Sequence, residues 1–390
     1  ISWAIAGRNQ KKLDQVKRDI QKSSPSLESI SIDTIITDTS KPSTIHNLVN
    51  EANTVISTAG PYVKYGSHVV EFCAKYGTNY VDITGETIWN KAMLMKWDSI
   101  AQQTGAKIVS LCACDSIPWD LTCYKLSELL REECKDTVQK IDCLDELQGG
   151  ASGGTVATII TAIDGEGEST RFEYDPYYRL KDGTRSKNKT KNTSPITITR
   201  VNEYDGDKRH TIPWVLSAVN ADVVKRTHAL NDHANGQALT YKERQVVPTF
   251  KDAFVSWFGL VFGATALLNP ITGGALRKFV LPKPGEGPTE KQQKNGYLLI
   301  SAVGEGVNGS KAESAIYFPG DPGYSQTARM VCESALCLAH DKDKLPVQGG
   351  GFYSPAYAMG DVLLERLCKT GSKFASRVVH VQDGKLQSKL

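Results

Sequence analysis

The sequence predicts an α/β protein: a doubly wound parallel sheet joined to a second α/β domain with a mixed sheet. Three observations carry that prediction. Short apolar runs alternate with longer amphipathic stretches from residue 1 to about residue 134. The runs are close to continuously apolar, the pattern of parallel strands covered on both faces. Small residues, hydroxyls and acids gather where the runs end, the edge at which such sheets bind ligands.

The predicted strands are SWAIAG, ESISIDTII, NTVISTA, NYVDIT and AKIVSLC. NQKKLDQVKRDIQK, STIHNLVNEA, SHVVEFCAKYG and IWNKAMLMKWDSIAQQTG read as the helices between them. WDLTCYKLSELLREEC closes this part with Trp119, Leu121, Leu126 and Leu129-Leu130 on a broad apolar face. A second domain spans 135–345. It opens with the strand VQKIDCLDELQGG and a helix GGTVATIITAI, and the polar stretch 179–195 reads as a surface loop. No charged residue falls between Ala253 and Leu276. The apolar part is shorter than the ~20 residues of a spanning helix, so a buried helix is expected, with a shallow membrane dip second. Strands YLLISAVGEG and AESAIYFPG follow, then helices RMVCESALCLAH and DVLLERLCKTG. The tail, 346–390, is expected to pack back on the first domain.

A net charge of +3 over 390 residues, with no stripe of aromatic and basic residues, speaks against nucleic-acid binding. The nine cysteines lack the spacing of a disulfide framework, and several lie in apolar helix or strand patterns, which points to a reducing intracellular compartment. Cys112 and Cys114 have no second pair, and His228 and His233 are five apart, so no metal site is expected. Neither a nucleophile elbow nor a Walker loop is present. The sequons at Asn188, Asn192 and Asn308 read as chance. Ser388-Lys389-Leu390 reads as a peroxisomal address for the import receptor.

The strand-end loops supply the candidate site. Gly7, Arg8 and Asn9 follow the first strand, where an Arg accommodates the 2′-phosphate of NADP and an acid would favour NAD. Asp38 and Thr39 end the next run, within reach of an adenine edge. Thr58, Ala59, Gly60, Pro61 and Tyr62 form a turn through which backbone can approach a cofactor. Thr84, Gly85 and Glu86, then Asp115, complete the edge. The glycine-rich turn that cradles a pyrophosphate follows no strand here. In the order 3-2-1-4-5-6 its strand is the central one, so about 30 further residues, one strand and one helix, are expected in a complete protein.

These loops together resemble the saccharopine dehydrogenase-like oxidoreductases, the family that includes the trans-acting enoyl reductases. The matching stretches are WAIAGRNQKKL, STAGPYVKYGSHVVEFCAKYGTNYVDITGE, CDSIPWDL and SGGTVATI, with GPTEKQ, PGYSQTARM and GGGFYSPAYAMGDVLLERL in the last third. The resemblance implies a Rossmann-type domain, a second α/β domain and NAD(P) in the cleft formed by the strand-end loops; Arg8 makes NADP the expected cofactor, with NAD the weaker choice. It also implies membrane or lipid-droplet association of animal members, whose hydrophobic character falls where 253–276 lies. The expected activity is hydride transfer to or from an apolar, lipid-derived small molecule, with Tyr62, Asp115 and Glu86 left open as proton donor. The competing reading is a non-catalytic membrane-associated or assembly protein on a degenerate Rossmann scaffold, its working surfaces being 179–195 and 253–276. Saccharopine chemistry itself is disfavoured, because no Arg cluster awaits a multi-carboxylate substrate. A homo-oligomer is left open.

Overall fold

The computed structural model describes residues 2–149, 191–202, 208–231, 239–279, 287–379, 381–382 and 385–386. Strand β1 (Ala4–Gly7) leads through helix α1 (Gln10–Ser23) to β2 (Asp33–Ile36), and the two strands pair in parallel. Next come α2 (Pro42–Glu51), β3 (Thr54–Ser57), the short α3 (Tyr62–Tyr65), α4 (Ser67–Tyr76), β4 (Asn79–Asp82), α5 (Thr87–Thr104) and β5 (Lys107–Val109). Strands β3, β4 and β5 form a parallel sheet whose fourth member is β13 (Gly351–Tyr353), beside β5. Ile45 and Val49 of α2, Val70 and Cys73 of α4, and Trp89 and Met93 of α5 pack with Tyr80, Ile108 and Phe352 of the sheet. That apolar stripe explains why these segments form helices here.

The parallel sheet, expected to lack the central strand that carries the glycine-rich turn, is in two pieces among the described residues. Strands β1 and β2 form a sheet of their own, apart from β3, β4, β5 and β13. Among the described residues no strand pairs with the free edge of β1 or of β3, and Trp3, Ile36 and Ile56 are exposed. The run ESISIDTII yields only Asp33–Ile36, because Pro25–Leu27 forms a 3-10 turn and the chain straightens late.

A second, mixed sheet is built from β6 (Val138–Gln148), β7 (Lys191–Asn192), β8 (Thr199–Asn202), β9 (Lys208–Ile212), β10 (Thr240–Val247), β11 (Tyr297–Gly306), β12 (Lys311–Pro319) and β14 (Lys373–Val379). Its order is β14-β12-β11-β6-β10-β9-β8, with β7 alongside β10. Helix α6 (Ile117–Cys134) buries Trp119, Leu121, Leu126 and Leu130 against Ile141, Ile300, Ile316 and Phe318 of this sheet. Gly304 of β11 permits the approach, since a Cβ there would lie 1.9 Å from Leu126. Helix α7 (Ser217–Leu230) packs beside α6. Beyond the short α10 (Glu290–Asn295), helices α11 (Thr327–His340) and α12 (Pro355–Lys369) pack together near α6 and the first domain's strands.

Three further expectations meet the structure here. The segment 253–276 is not a buried helix: α8 (Phe250–Leu268) and α9 (Pro270–Phe279) form a hairpin, and on α8 only Ala253 is buried. The end of the supposed loop 179–195 is structured, because Lys191–Asn192 pairs with β10 and the Ser194 hydroxyl accepts the Glu243 N–H at 2.9 Å. The helix expected over GGTVATIITAI, most of 179–195 and Ser388-Lys389-Leu390 lie outside the described residues.

Candidate functional site

The strand-end residues fall into two groups. At the end of β1, the Thr37 N–H donates to the Gly7 carbonyl at 3.0 Å, which holds the β1 and β2 exits side by side. Arg8 is exposed and forms no hydrogen bond or ion pair among the described residues. Asn9 is committed to structure, its side-chain oxygen accepting the Lys12 N–H at 3.1 Å as the cap of α1. Asp38 accepts the Ser40 N–H and hydroxyl at 3.0 and 2.7 Å. These bonds, with Lys41 and Arg8 nearby, hold its carboxyl below the usual range. Thr39 is half-exposed beside it. Thr37, which sequence reasoning passed over, is buried with a hydroxyl that has no partner among the described residues.

The second group is bound together more tightly. Thr58 and Gly60 are exposed and Ala59 and Pro61 half-exposed in the turn after β3. A Cβ on Gly60 would touch only Tyr62, at 3.4 Å, so packing does not demand glycine at this position. Glu86 spans the gap to the next loop: its two carboxylate oxygens accept the Tyr62 and Val63 N–H groups at 2.8 and 2.9 Å. Glu86 therefore caps α3 and is not a solvated loop acid. Burial raises its pKa, and the two N–H groups oppose the rise. Tyr62 is buried, its hydroxyl donating to the Ser57 carbonyl at 2.8 Å, and burial drives its pKa far up. Neither group is free to deliver a proton.

Asp82 organises the rest, and sequence reasoning missed it. Fully buried at the end of β4, it accepts the Thr84 N–H (3.1 Å), the Leu111 N–H (3.0 Å) and the Ser110 hydroxyl (3.0 Å). The β4 and β5 exits are thereby locked together, with Leu111 held at φ 63°. Thr84 in turn accepts the Glu86 N–H at 3.0 Å, and Gly85 lies between them, half-buried. Burial pushes the Asp82 carboxyl up to about 6. The local signal was Asp-x-Thr in VDITGE, an Asx-turn pattern. The link to Ser110 and Leu111 has no local signal.

Asp115 stands apart from these structural acids. The N-cap of α6 is Ser116, which makes no side-chain cap bond, so Asp115 is not the helix acceptor it resembled in sequence. It is half-buried, it has no hydrogen-bond partner among the described residues, and burial raises its pKa to about 6. The neighbouring Cys114 links this loop to the second half of the chain, its N–H donating to the Thr327 hydroxyl at 3.3 Å.

Among the described residues no hydrogen bond or ion pair joins the Gly7–Thr39 group to the group from Thr58 to Asp115. No cluster of His, Cys, Asp and Glu suited to a metal ion occurs among the described residues. The features present suit a phosphorylated dinucleotide: an exposed guanidinium at a strand exit, an unpartnered Thr37 hydroxyl close by, and an open glycine at the next exit.

Comparison with known proteins agrees with this geometry. Residues 1–109 match the saccharopine dehydrogenase NADP binding domain. The trans-acting enoyl reductase of Mycobacterium ulcerans is 31% identical over 394 residues, covering 97% of this chain and 91% of the relative. Its counterpart in Mycobacterium tuberculosis is 30% identical over 387 residues, covering 94% and 89%. Among solved structures, apo saccharopine dehydrogenase (L-Glu forming) from Saccharomyces cerevisiae superposes with a TM-score of 0.53 at 12% identity, covering 97% of this chain and 94% of that one. That likeness concerns the fold.

Proposed function

Because this chain belongs to the saccharopine dehydrogenase-like family, alongside the trans-acting enoyl reductases, we propose that it is an NADP-dependent oxidoreductase that reduces an apolar, enoyl-type substrate. The observation that carries the reading is Arg8. It is an exposed guanidinium at the exit of β1 that makes no hydrogen bond or ion pair among the described residues, near the buried and unpartnered Thr37 hydroxyl. Arg8 binds a 2′-phosphate as a planar fork of donors, and that phosphate is what distinguishes NADP from NAD.

Bound NADPH supplies the hydride. The chain's own residues set the rest of the chemistry. Gly60 leaves the β3 exit open to a close approach, and Glu86 and Asp82 hold the three loops rigid around it. Reduction of a carbon–carbon double bond conjugated to a carbonyl places hydride on one carbon and a proton on its neighbour. Asp115 holds that proton: of the three sequence candidates its side chain alone is not engaged in a hydrogen bond among the described residues, and a pKa of about 6 keeps a usable acid fraction near neutrality.

Titration of the intact protein with NADPH and then NADH, followed by nicotinamide fluorescence, tests the cofactor reading. NADPH is expected to bind more tightly. Failure of both to bind overturns it in favour of the scaffold alternative. Oxidation of NADPH on addition of an α,β-unsaturated acyl thioester, and not of saccharopine-forming substrates, tests the substrate class.

A further inference from the structure

Buried polar atoms that lack a partner collect around the first turn of α6. The Ser116 hydroxyl, in a residue only 1% exposed, makes no hydrogen bond among the described residues. Asp115, just before it, makes none either. Trp214 stacks on Trp119 with ring centroids 6.3 Å apart, and it buries an indole N–H that has no acceptor among the described residues. Each such group carries a desolvation cost, and a native fold keeps it where something else completes the bonding.

The backbone adds a second donor. Of the opening N–H groups of α6, that of Ile117 donates to the Ala113 carbonyl and that of Asp120 to the Ser116 carbonyl, both at 3.0 Å. Pro118 has no N–H. The Trp119 N–H makes no hydrogen bond among the described residues, and Trp119 is buried. A serine at the N-cap ordinarily accepts the N–H three residues on, here that of Trp119. Ser116 does not, its backbone standing at φ −153° and ψ −52°. Two groups that would satisfy each other are thus left apart at the positive end of an 18-residue helix. The turn is firmly held. The Trp119 indole donates to Asp145 at 2.8 Å, and the Cys114 N–H reaches the Thr327 hydroxyl across the fold.

We propose that the Ser116 hydroxyl and the Trp119 N–H form an oxyanion site for the carbonyl oxygen of the α,β-unsaturated acyl substrate, which makes Ser116 a catalytic residue. The inference rests on the reduction proposed above. Position supports it, because this turn follows the β5 exit on the ligand-binding edge of the sheet and adjoins Asp115, the proton donor of that reaction. Hydride arriving at the β carbon pushes the double-bond electrons towards the carbonyl, whose oxygen takes the negative charge. Ser116 and Trp119 donate to that oxygen, and the helix dipole favours the charge there. The Asp115 proton then passes to the α carbon and the carbonyl re-forms. The Asp115 carboxylate regains its proton from water.

The probe is the acetoacetyl thioester of N-acetylcysteamine, whose enolate absorbs in the near ultraviolet and forms without NADPH. The intact wild-type protein is expected to raise the enolate fraction on binding. Ser116→Ala should lower the enolisation constant of the bound probe roughly 100-fold, and Ser116→Thr, which keeps the hydroxyl, should retain most of the gain. Tm of the Ala variant should hold or rise, since it loses a buried hydroxyl that has no partner. A capping serine gives the reverse, a lowered Tm with unchanged enolate, and that pattern overturns the inference. So does a wild type that leaves the probe in its keto form, which assigns the turn to bound water only. NADPH oxidation with the crotonyl thioester is followed alongside. Enolate stabilisation without oxidation removes the reduction and keeps the oxyanion site. Oxidation at an unchanged rate in Ser116→Ala keeps the reduction and removes the site.

Discussion

Arg8 is exposed and makes no hydrogen bond or ion pair among the described residues, so its removal is expected to leave the fold intact. Arg8→Ala is expected to weaken NADPH by roughly 10- to 100-fold, the worth of one or two hydrogen bonds to a charged group. NADH, which lacks the phosphate, should bind as before. Equal weakening of both would show that Arg8 does not read the phosphate. Asp115→Asn keeps shape and removes the proton, so turnover is expected to fall roughly 100-fold or more while NADPH affinity holds. A pH–rate profile that loses its limb near 6 in the variant would tie that loss to this carboxyl and not to misfolding. Both residues were visible in the sequence as strand-end side chains. Asp82 was not, because three donors from Thr84, Ser110 and Leu111 reach it across as many as 29 residues. Periodicity carries no trace of such a contact.

At the scale of elements, Glu86 shows how a loop can be misread. Its carboxylate satisfies two N–H groups that α3 leaves unpaired at its start. Glu86→Ala is expected to cost about 1–2 kcal/mol, measured as a lowered urea midpoint at unchanged slope, with Glu86→Gln costing less because one acceptor survives. The alternation of strand and helix was legible because each helix between β1 and β5 buries one stripe and each strand is short and apolar. Helix α8 was not legible in the same way. Apolarity on every side identifies a segment that avoids water, and whether protein or lipid does the covering depends on the neighbours that the fold provides. The break between the sheets of β1 and β3 was anticipated only indirectly, through the glycine turn that no strand of the chain precedes.

The whole molecule stores protons in its interior. Asp82 and Asp115 are raised to about 6, and Asp120 to about 7, each first by burial. In the mixed sheet Asp145 and Glu243 are closed from water together, and both are raised, since two adjacent buried carboxyls resist joint ionisation. Asp145 accepts the Trp119 indole N–H at 2.8 Å, while Glu243 accepts from Asn220 and Tyr241 at 2.8 and 2.7 Å. The folded state therefore binds more protons than the unfolded chain between roughly pH 4 and 7. The stabilisation from these groups is complete below their unfolded values and is lost as pH rises through 6 to 7. Asp38, Glu71, Asp136 and Asp341 are lowered and act oppositely, losing their contribution as pH falls below about 4. Tm is thus expected to decline from pH 5.5 to pH 8. Asp145→Asn, which keeps an acceptor for Trp119 and cannot ionise, should flatten that decline, and an unchanged slope would place the protons elsewhere.

The strand β13 sits beside β5, although 241 residues separate the Lys107 side chain from the Gln348 carbonyl it reaches at 3.1 Å. The Phe352 N–H donates to Asp98 and the Ala356 N–H to Asp120, at 2.9 and 2.8 Å, and soon after β14 closes the edge of the other sheet. On the ribosome this arrangement imposes a timetable. Neither sheet can complete its hydrogen bonding until nearly all the described chain has been synthesised, so the early-made half waits, partly paired, for its last strand. A nascent chain stalled before residue 351 should be cleaved readily by protease in its first hundred residues, and one stalled well beyond residue 379 should resist.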